Sequence, residues 1–362
     1  MQIITDRRAL HRIPELGDQL PKTTEYLRAV LSPLRCQVFS PTQSSVCAWF
    51  DFGAEAAIAF RADCDALPIT EKTGAEFAST HEGKMHACGH DGHMAIGLEL
   101  ARRLNEKTSL RHNVLLVFQP AEETTGGAKP LCDSGVFEKY KVSAVFGLHL
   151  WPGLKAGTVF SRKNELMART SELTIDIYGK SSHIAKPREG LDALGAAVAL
   201  YTRARALEAS FPPDIYRLLN FGYFHSGTVR NAISNYTQLQ GTLRAFQDEV
   251  FLTLRDGLRD IARQVAEEFG CRVELDINEG YPAVINPPAL YDRVMSAAPF
   301  EALGEPTMTA EDFSFYQKRF DAMFFFLGLG DVPALHSDNF HFDETILLKG
   351  ADFFEKLAEN FQ

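Results

Sequence analysis

Short unbroken apolar runs alternate along this chain with stretches in which apolar residues return every three or four positions. The runs at 113–118 (Asn-Val-Leu-Leu-Val-Phe), 142–150 and 323–328 (Met-Phe-Phe-Phe-Leu-Gly) have the length of strands buried on both faces of a parallel sheet. Residues 45–52 and 56–61 also read as strands. Leu and Ile recur at helical spacing over 5–35, interrupted at Pro14 and Pro21, and 94–105 reads as an amphipathic helix. Strands alternating with helices predict an α/β class.

A different order occupies the middle of the chain. Residues 172–179 read as a strand, 191–209 as a helix, 216–224 and 236–246 as strands, 248–269 as a helix and 271–279 as a strand. This β-α-β-β-α-β order is ferredoxin-like. The block is self-contained, so it is read as an inserted α+β domain over 171–282, with 1–170 and 283–362 forming the domain around it. A length of 362 residues, too long for one ordinary core, agrees with two domains. The sequence holds no internal repeat and no low-complexity tract.

Charge and composition narrow the function classes. The formal net charge is −10 and there is no basic cluster, which argues against nucleic acid and anionic membrane surfaces as partners. The first residues, Met-Gln-Ile-Ile-Thr-Asp-Arg-Arg, carry charges where a signal peptide has its apolar core. No apolar run approaches the roughly 18 residues of a membrane span. The six cysteines (36, 47, 64, 88, 132, 271) lack a framework spacing. They are expected to be reduced thiols in a cytoplasmic protein.

Candidate chemistry concentrates in Met85-His86-Ala87-Cys88-Gly89-His90-Asp91-Gly92-His93. Cys88 and His90 are close enough to converge on one metal ion, and a thiolate with an imidazole suits zinc first among the first-row divalent ions. Gly89 and Gly92 predict that no regular helix runs through the centre of the motif. One Cys-x-His alone is a weak signal, but matching ligand types recur at the ends of later apolar runs. The 113–118 run leads to Glu122-Glu123, where one carboxylate could bind a metal and the other serve as base. The 142–150 run ends at His149. The 323–328 run precedes His336 and His341, which compete for one ligand role on spacing alone. Asp63 and Asp65 leave the second strand as either surface turn residues or groups that orient a metal-bound imidazole. His11 reads as structural. His183, Asn231 and Arg244, in the inserted block, are each compatible with ordinary turn or strand-edge chemistry.

Taken in order, the motifs resemble the aminoacylase/hippurate-hydrolase type of amidohydrolase, in the dinuclear metallopeptidase superfamily that includes glutamate carboxypeptidases. The resemblance covers nearly the whole chain. It rests on Arg7-Arg8-Ala9-Leu10-His11, Phe60-Arg61-Ala62-Asp63-Cys64-Asp65-Ala66-Leu67-Pro68, the 85–93 stretch and Phe118-Gln119-Pro120-Ala121-Glu122-Glu123. Gly147-Leu148-His149, Ser182-His183, Gly241-Thr242-Leu243-Arg244, Glu311-Asp312-Phe313-Ser314 and Leu335-His336-Ser337 follow.

The resemblance implies a mixed-sheet catalytic domain and a ferredoxin-like lid that also pairs the subunits of a homodimer. It implies two divalent metal ions per subunit, zinc or manganese, with cobalt and nickel as further candidates. Cys88 would bridge them, where the carboxypeptidase branch has an aspartate. His90 and His149 would complete one metal, and Glu123 and His336 the other; the Leu-His-Ser context selects His336. Glu122 would be the general base, and Asp63, Asp65 and Asp91 would support the ligands. His183 would reach the partner subunit's site and polarise the scissile carbonyl. Asn231 and Arg244 would hold the substrate, Arg244 through its free carboxylate.

The implied reaction is hydrolysis of an N-acetyl or N-benzoyl type amino acid. N-acetyl-diaminopimelate, an auxin-type amino-acid conjugate and a dipeptide are the alternative substrates. A non-catalytic metal-binding scaffold is the reading from another class, against which Glu122 beside a full ligand set argues. Three departures from the family pattern stand out. Cys64 replaces the usual methionine, Ile184 follows His183 where a small residue is commoner, and 220–231, with Tyr223, Phe224 and His225, replaces a glycine-rich stretch.

Overall fold

The computed structural model describes residues 1–362. The chain folds as two units, one made of Met1–Leu166, Ile285–Pro306 and Asp312–Gln362, the other of Met167–Val284 and Thr307–Glu311.

The first unit is built on a mixed eight-stranded sheet. Its centre is four parallel strands, in the order Asn113–Gln119, Ala57–Asp63, Val142–Trp151 and Asp321–Gly328. Val46–Phe50 and Gln37–Phe39 extend one side antiparallel; Val159–Ser161 pairs antiparallel on the other and carries Glu301–Ala302 parallel to it. Every residue of Ala57–Asp63 and Asn113–Gln119 is buried, which is why these stretches read as continuous rather than alternating apolar runs. The helix His90–Glu106 packs on Ala57–Asp63 and against Gln2–His11 and Leu347–Asn360.

The expectation of no regular helix through the centre of the motif holds at Gly89 and is corrected at Gly92. A regular helix begins inside the 85–93 motif and runs through Gly92. Gly89 supplies the left-handed residue (φ 84°) that starts it. Gly92 is retained in the helix because a Cβ there would stand 2.6 Å from Leu150 Cδ1 and 3.1 Å from Leu347 Cδ2. Close approach of the helix to its neighbours, not helix breaking, is what this glycine serves.

The second unit has the strands Arg169–Tyr178, Arg217–Ser226, Tyr236–Ala245 and Arg272–Ile277, and the helices Ala193–Ala209 and Asp248–Phe269. The sheet order is Arg272–Ile277, Arg169–Tyr178, Tyr236–Ala245, Arg217–Ser226, antiparallel throughout. Ile175, Ile177, Leu239 and Leu243 from the sheet bury against Leu200, Leu254 and Leu258 from the helices. The segment Thr307–Glu311 also belongs to this unit, and Ala168 donates its amide to the carbonyls of Thr307 (3.2 Å) and Thr309 (2.9 Å). No pattern in 307–311 announces this, because the segment is too short to carry a period. No helix of the chain is long and apolar enough to cross a membrane.

Candidate metal centre

The parallel strands of the first unit deliver the candidate groups at their C-terminal ends, where open α/β sheets place their sites. Asp63 closes Ala57–Asp63, Glu122 and Glu123 follow Asn113–Gln119, and His149 lies near the end of Val142–Trp151. Cys88 and His90 arrive at the start of the helix His90–Glu106, and His336 from the loop after Asp321–Gly328. Cys88 Sγ is 3.4 Å from His149 Nε2 and 3.3 Å from His336 Nε2. His336 Nε2 is 3.2 Å from Glu123 Oε1, but out of line for a hydrogen bond. Two triads result, Cys88–His90–His149 and Cys88–Glu123–His336, each with ligand atoms within 4.8 Å of one another, and they share the thiol. Glu122 groups with His90 and Glu123 in the same way.

Several observations test whether these residues fit cations. His90 Nε2 and Glu123 Oε1 are buried polar atoms with no hydrogen-bond partner, which is costly unless something else satisfies them. The far side of each buried imidazole is anchored: His90 Nδ1 bonds the Asp65 carbonyl at 2.8 Å and His149 Nδ1 the Leu150 carbonyl at 2.7 Å. That arrangement leaves both Nε2 atoms directed at the cluster. Burial works against a charged His90, yet Asp63, Asp65 and Glu123 outweigh it and raise its pKa to about 10. The pocket therefore favours a positive charge. Burial, reinforced by Glu123 and Glu122, pushes the Cys88 thiol well above its usual range, so a cation has to displace a proton to bind there. Burial likewise drives His149 well down, which keeps its imidazole neutral. The donor set fits a pair of divalent cations.

A further group, Asp63–His90–His93, is also compact. It is not a comparable ligand set, because His93 Nδ1 is engaged by Asp63 Oδ1 at 2.5 Å and His93 Nε2 accepts the Leu150 amide at 2.9 Å. His341 packs its ring on Phe77, centroids 5.9 Å apart, and belongs to none of the ligand groups.

The loop carrying the two glutamates is tightly fixed. The Asp65 carboxylate accepts the amides of Glu122 (2.9 Å) and Glu123 (3.0 Å). Ala121 is held in left-handed backbone (φ 60°) between its amide bond to Gly17 O and the bond its carbonyl accepts from Gly126 N. A Cβ on Gly127 would stand 1.9 Å from the Pro120 carbonyl oxygen, so only glycine fits there. His336 also adopts left-handed backbone (φ 64°), braced by its amide bond to Ala87 O at 2.8 Å. Such strain concentrates at functional sites. Asp91 faces away from the ligands, pairing with Arg7 Nε (2.8 Å) and His11 Nδ1 (2.7 Å).

Residues that carried no role in the sequence prove central to the support. Arg61 is buried and donates to Asp63 Oδ2 (2.6 Å), Gln119 Oε1 (2.9 Å) and Asp312 Oδ1 (2.8 Å). Asp312 also accepts from Gln119 Nε2 and the Ala128 amide. A lone arginine inside an apolar strand was the available signal, since a buried charge needs partners.

The remaining candidates lie in the second unit. His183 and Asn231 are brought together: Ile184 N donates to Asn231 O (3.0 Å), and Ile233 N to Ser182 O (2.9 Å). Arg244 is near the other end of Tyr236–Ala245, with Nε on Thr242 Oγ1 and Nη1 on Met308 O. The eight-residue step from Tyr236 to Arg244 spans roughly 26 Å of strand. The backbone sets Asn231 beside His183.

Comparison with known proteins follows from this geometry. Residues 59–360 match the model of peptidase family M20/M25/M40. The chain belongs to this family. It is accordingly a hydrolase, and its mixed α/β fold is the family's. A Bacillus subtilis family member described as a dinuclear metal-binding peptidase is 31% identical, with TM-score 0.85 over 99% of this chain and 96% of that one. An N-acetyldiaminopimelate deacetylase of Lactobacillus helveticus is 35% identical over 97% of this chain and 95% of its own length. A hydrolase of Staphylococcus epidermidis is 34% identical, covering 98% and 97%.

Proposed function

We propose that this family member hydrolyses the amide bond of N-acyl amino acids, and that Cys88, His90 and His149 would hold one divalent cation and Cys88, Glu123 and His336 a second. The observation that carries the reading is the pair of triads meeting at one thiol with the Glu122 carboxylate beside them. Bound there, zinc or manganese would polarise the amide carbonyl and acidify water. Glu122 takes a proton from water as the water oxygen bonds to the carbonyl carbon. It returns that proton to the nitrogen as the C–N bond breaks, releasing a carboxylic acid and an amino acid. His183 donates to the carbonyl oxygen as charge builds there, Asn231 assists it, and Arg244 pairs with the substrate carboxylate.

The second unit acts as a ferredoxin-like lid and as the dimer contact. Support comes from its exposed apolar residues: Leu194, Val198 and Tyr201 at helical spacing on Ala193–Ala209, and Tyr223 and Phe224 on the edge strand Arg217–Ser226. The span from Tyr236 to Arg244, roughly 26 Å of strand, exceeds the length of a small N-acyl amino acid, and the His183–Asn231 pair precedes Tyr236 in the chain. It favours a site that takes the His183–Asn231 pair and Arg244 from different subunits.

The Lactobacillus helveticus relative supports N-acetyl-diaminopimelate as the specific substrate. A panel of N-acetyl and N-benzoyl amino acids and N-acetyl-diaminopimelate, compared by kcat/KM, tests the reading. Methyl esters of the best substrate should be poor, because a half-buried guanidinium would lose its partner. Equal kcat/KM on acid and ester would remove Arg244 from the role.

A further inference from the structure

His93, the last histidine of the 85–93 motif, has no part in the reading above, yet both its ring nitrogens are engaged in the interior. The Leu150 amide can only donate, so His93 Nε2, 2.9 Å away, is the bare nitrogen and Nδ1 carries the proton given to Asp63. The carbonyl of the same residue, in the next peptide unit, acts on His149. The Leu150 carbonyl can only accept, so His149 Nδ1 at 2.7 Å carries a proton, and its lone pair is on Nε2, the atom facing Cys88. Each proton position is therefore dictated by the group before it.

The Leu150 amide is available for this because the neighbouring strand stops short. Pairing of Ala57–Asp63 with Val142–Trp151 ends at Arg61 and Gly147, leaving Leu150 beyond the ladder on that side. His93 takes the place of the missing strand. The rings of His93 and His149 meet edge to face with centroids 4.5 Å apart, so the histidine that anchors the peptide also walls the ligand. Behind His93, Asp63 is gripped by Arg61, and Arg61 by Asp312.

We propose that His93 is a positioning residue that holds the Leu150 backbone, and so the carbonyl that sets the tautomer and aim of His149, with the buried chain Asp312–Arg61–Asp63 holding His93 in turn. The proposal rests on the reading of Cys88, His90 and His149 as one metal's ligands. It makes that metal, and not the one on Glu123 and His336, sensitive to His93.

The test is cobalt binding by the full chain. Two equivalents are titrated into metal-free protein in competition with a chromophoric chelator, with the thiolate-to-cobalt absorbance followed. His93→Phe keeps the ring shape and loses both hydrogen bonds. It should weaken one equivalent by about 10- to 100-fold, the range for losing a ligand's supporting partner, and leave the other unchanged. His93→Gln, whose amide oxygen can accept from Leu150, should recover part of the loss. If His93→Phe does not fold, His93→Asn carries the test, because it keeps a donor for Asp63 and loses the acceptor for Leu150. Wild-type affinity for both equivalents in the variants would overturn the proposal, as would equal weakening of both, which marks a merely structural role. Wild-type protein that fails to bind two equivalents would overturn the ligand reading itself, and the proposal with it.

Discussion

Glu122 and Glu123 are identical side chains one position apart, and the proposed function gives them different roles. Both backbone amides are pinned by Asp65. Burial opposes ionisation of Glu123, but His336 and His90 outweigh it and hold its pKa down, as a ligand requires. Glu122→Gln is expected to retain two metals and lose about 10²-fold or more in kcat, the scale of general-base catalysis, whereas Glu123→Gln is expected to lose metal. Metal analysis beside kcat distinguishes them, and the opposite pattern would exchange the roles. A second residue-scale prediction concerns acid stability. Burial opposes ionisation of Glu71, but hydrogen bonds from His11, the Ser79 amide and Thr73 prevail and pull it from 4.5 to about 2. A depressed carboxylate stabilises the fold above its unfolded pKa and loses that effect as pH falls through the folded value. The stability gap between wild type and Glu71→Gln, measured by denaturant unfolding with chelator present, should shrink as pH falls from 4.5 to 2. A gap independent of pH would exclude this source.

At the scale of elements, the site depends on loops whose backbone has one allowed path. The turn after Asn113–Gln119 returns so closely that Gly127 meets the Pro120 carbonyl. Gly127→Ala must therefore displace the segment that carries both glutamates. An expected cost of about 1–3 kcal/mol, typical of overpacking, should appear in denaturant unfolding, together with weaker metal retention against a chelator. Unchanged metal retention would mean that the loop can shift without moving Glu123. The helix His90–Glu106 shows the complementary case. A glycine that looked like an interruption is accommodated because tertiary packing on Leu150 and Leu347 outweighs its poor intrinsic propensity.

On the scale of the whole molecule, the prediction is a shared active site. Neither His183→Ala nor Glu122→Gln protein should be active alone. Mixed after verified subunit exchange in equal amounts, they should regain about a quarter of wild-type activity, since half the dimers are mixed and each has one complete site. Verified exchange without recovery would leave His183 structural or acting within its own subunit. The apolar stripe of Leu194, Val198 and Tyr201 gives an independent handle: charged substitutions there should shift the dimer toward monomer in sedimentation, and activity should fall with it.

How much of this was legible in the sequence follows from the range of the forces involved. Strand and helix identity depends on neighbours a few positions away, so Asn113–Gln119, Val142–Trp151 and the β-α-β-β-α-β order could be read from periodicity. The candidate ligand types could be read as well, because Cys88 and His90 stand together in the 85–93 motif and Glu123 and His149 stand where apolar runs end. Spacing left His336 and His341 equal; packing separates them, setting one beside Cys88 and the other against Phe77. The companionship of His183 and Asn231, the membership of 307–311 in the second unit and the hydrogen-bond chain Asp312–Arg61–Asp63–His93 were invisible. Each joins atoms far apart in the chain through register and hydrogen-bond direction, and no local pattern records either. Composition and period determined which elements form and which chemistry they carry. Only the tertiary structure decided which nitrogen of each histidine faces the centre, because that depends on a donor or acceptor supplied by a distant segment.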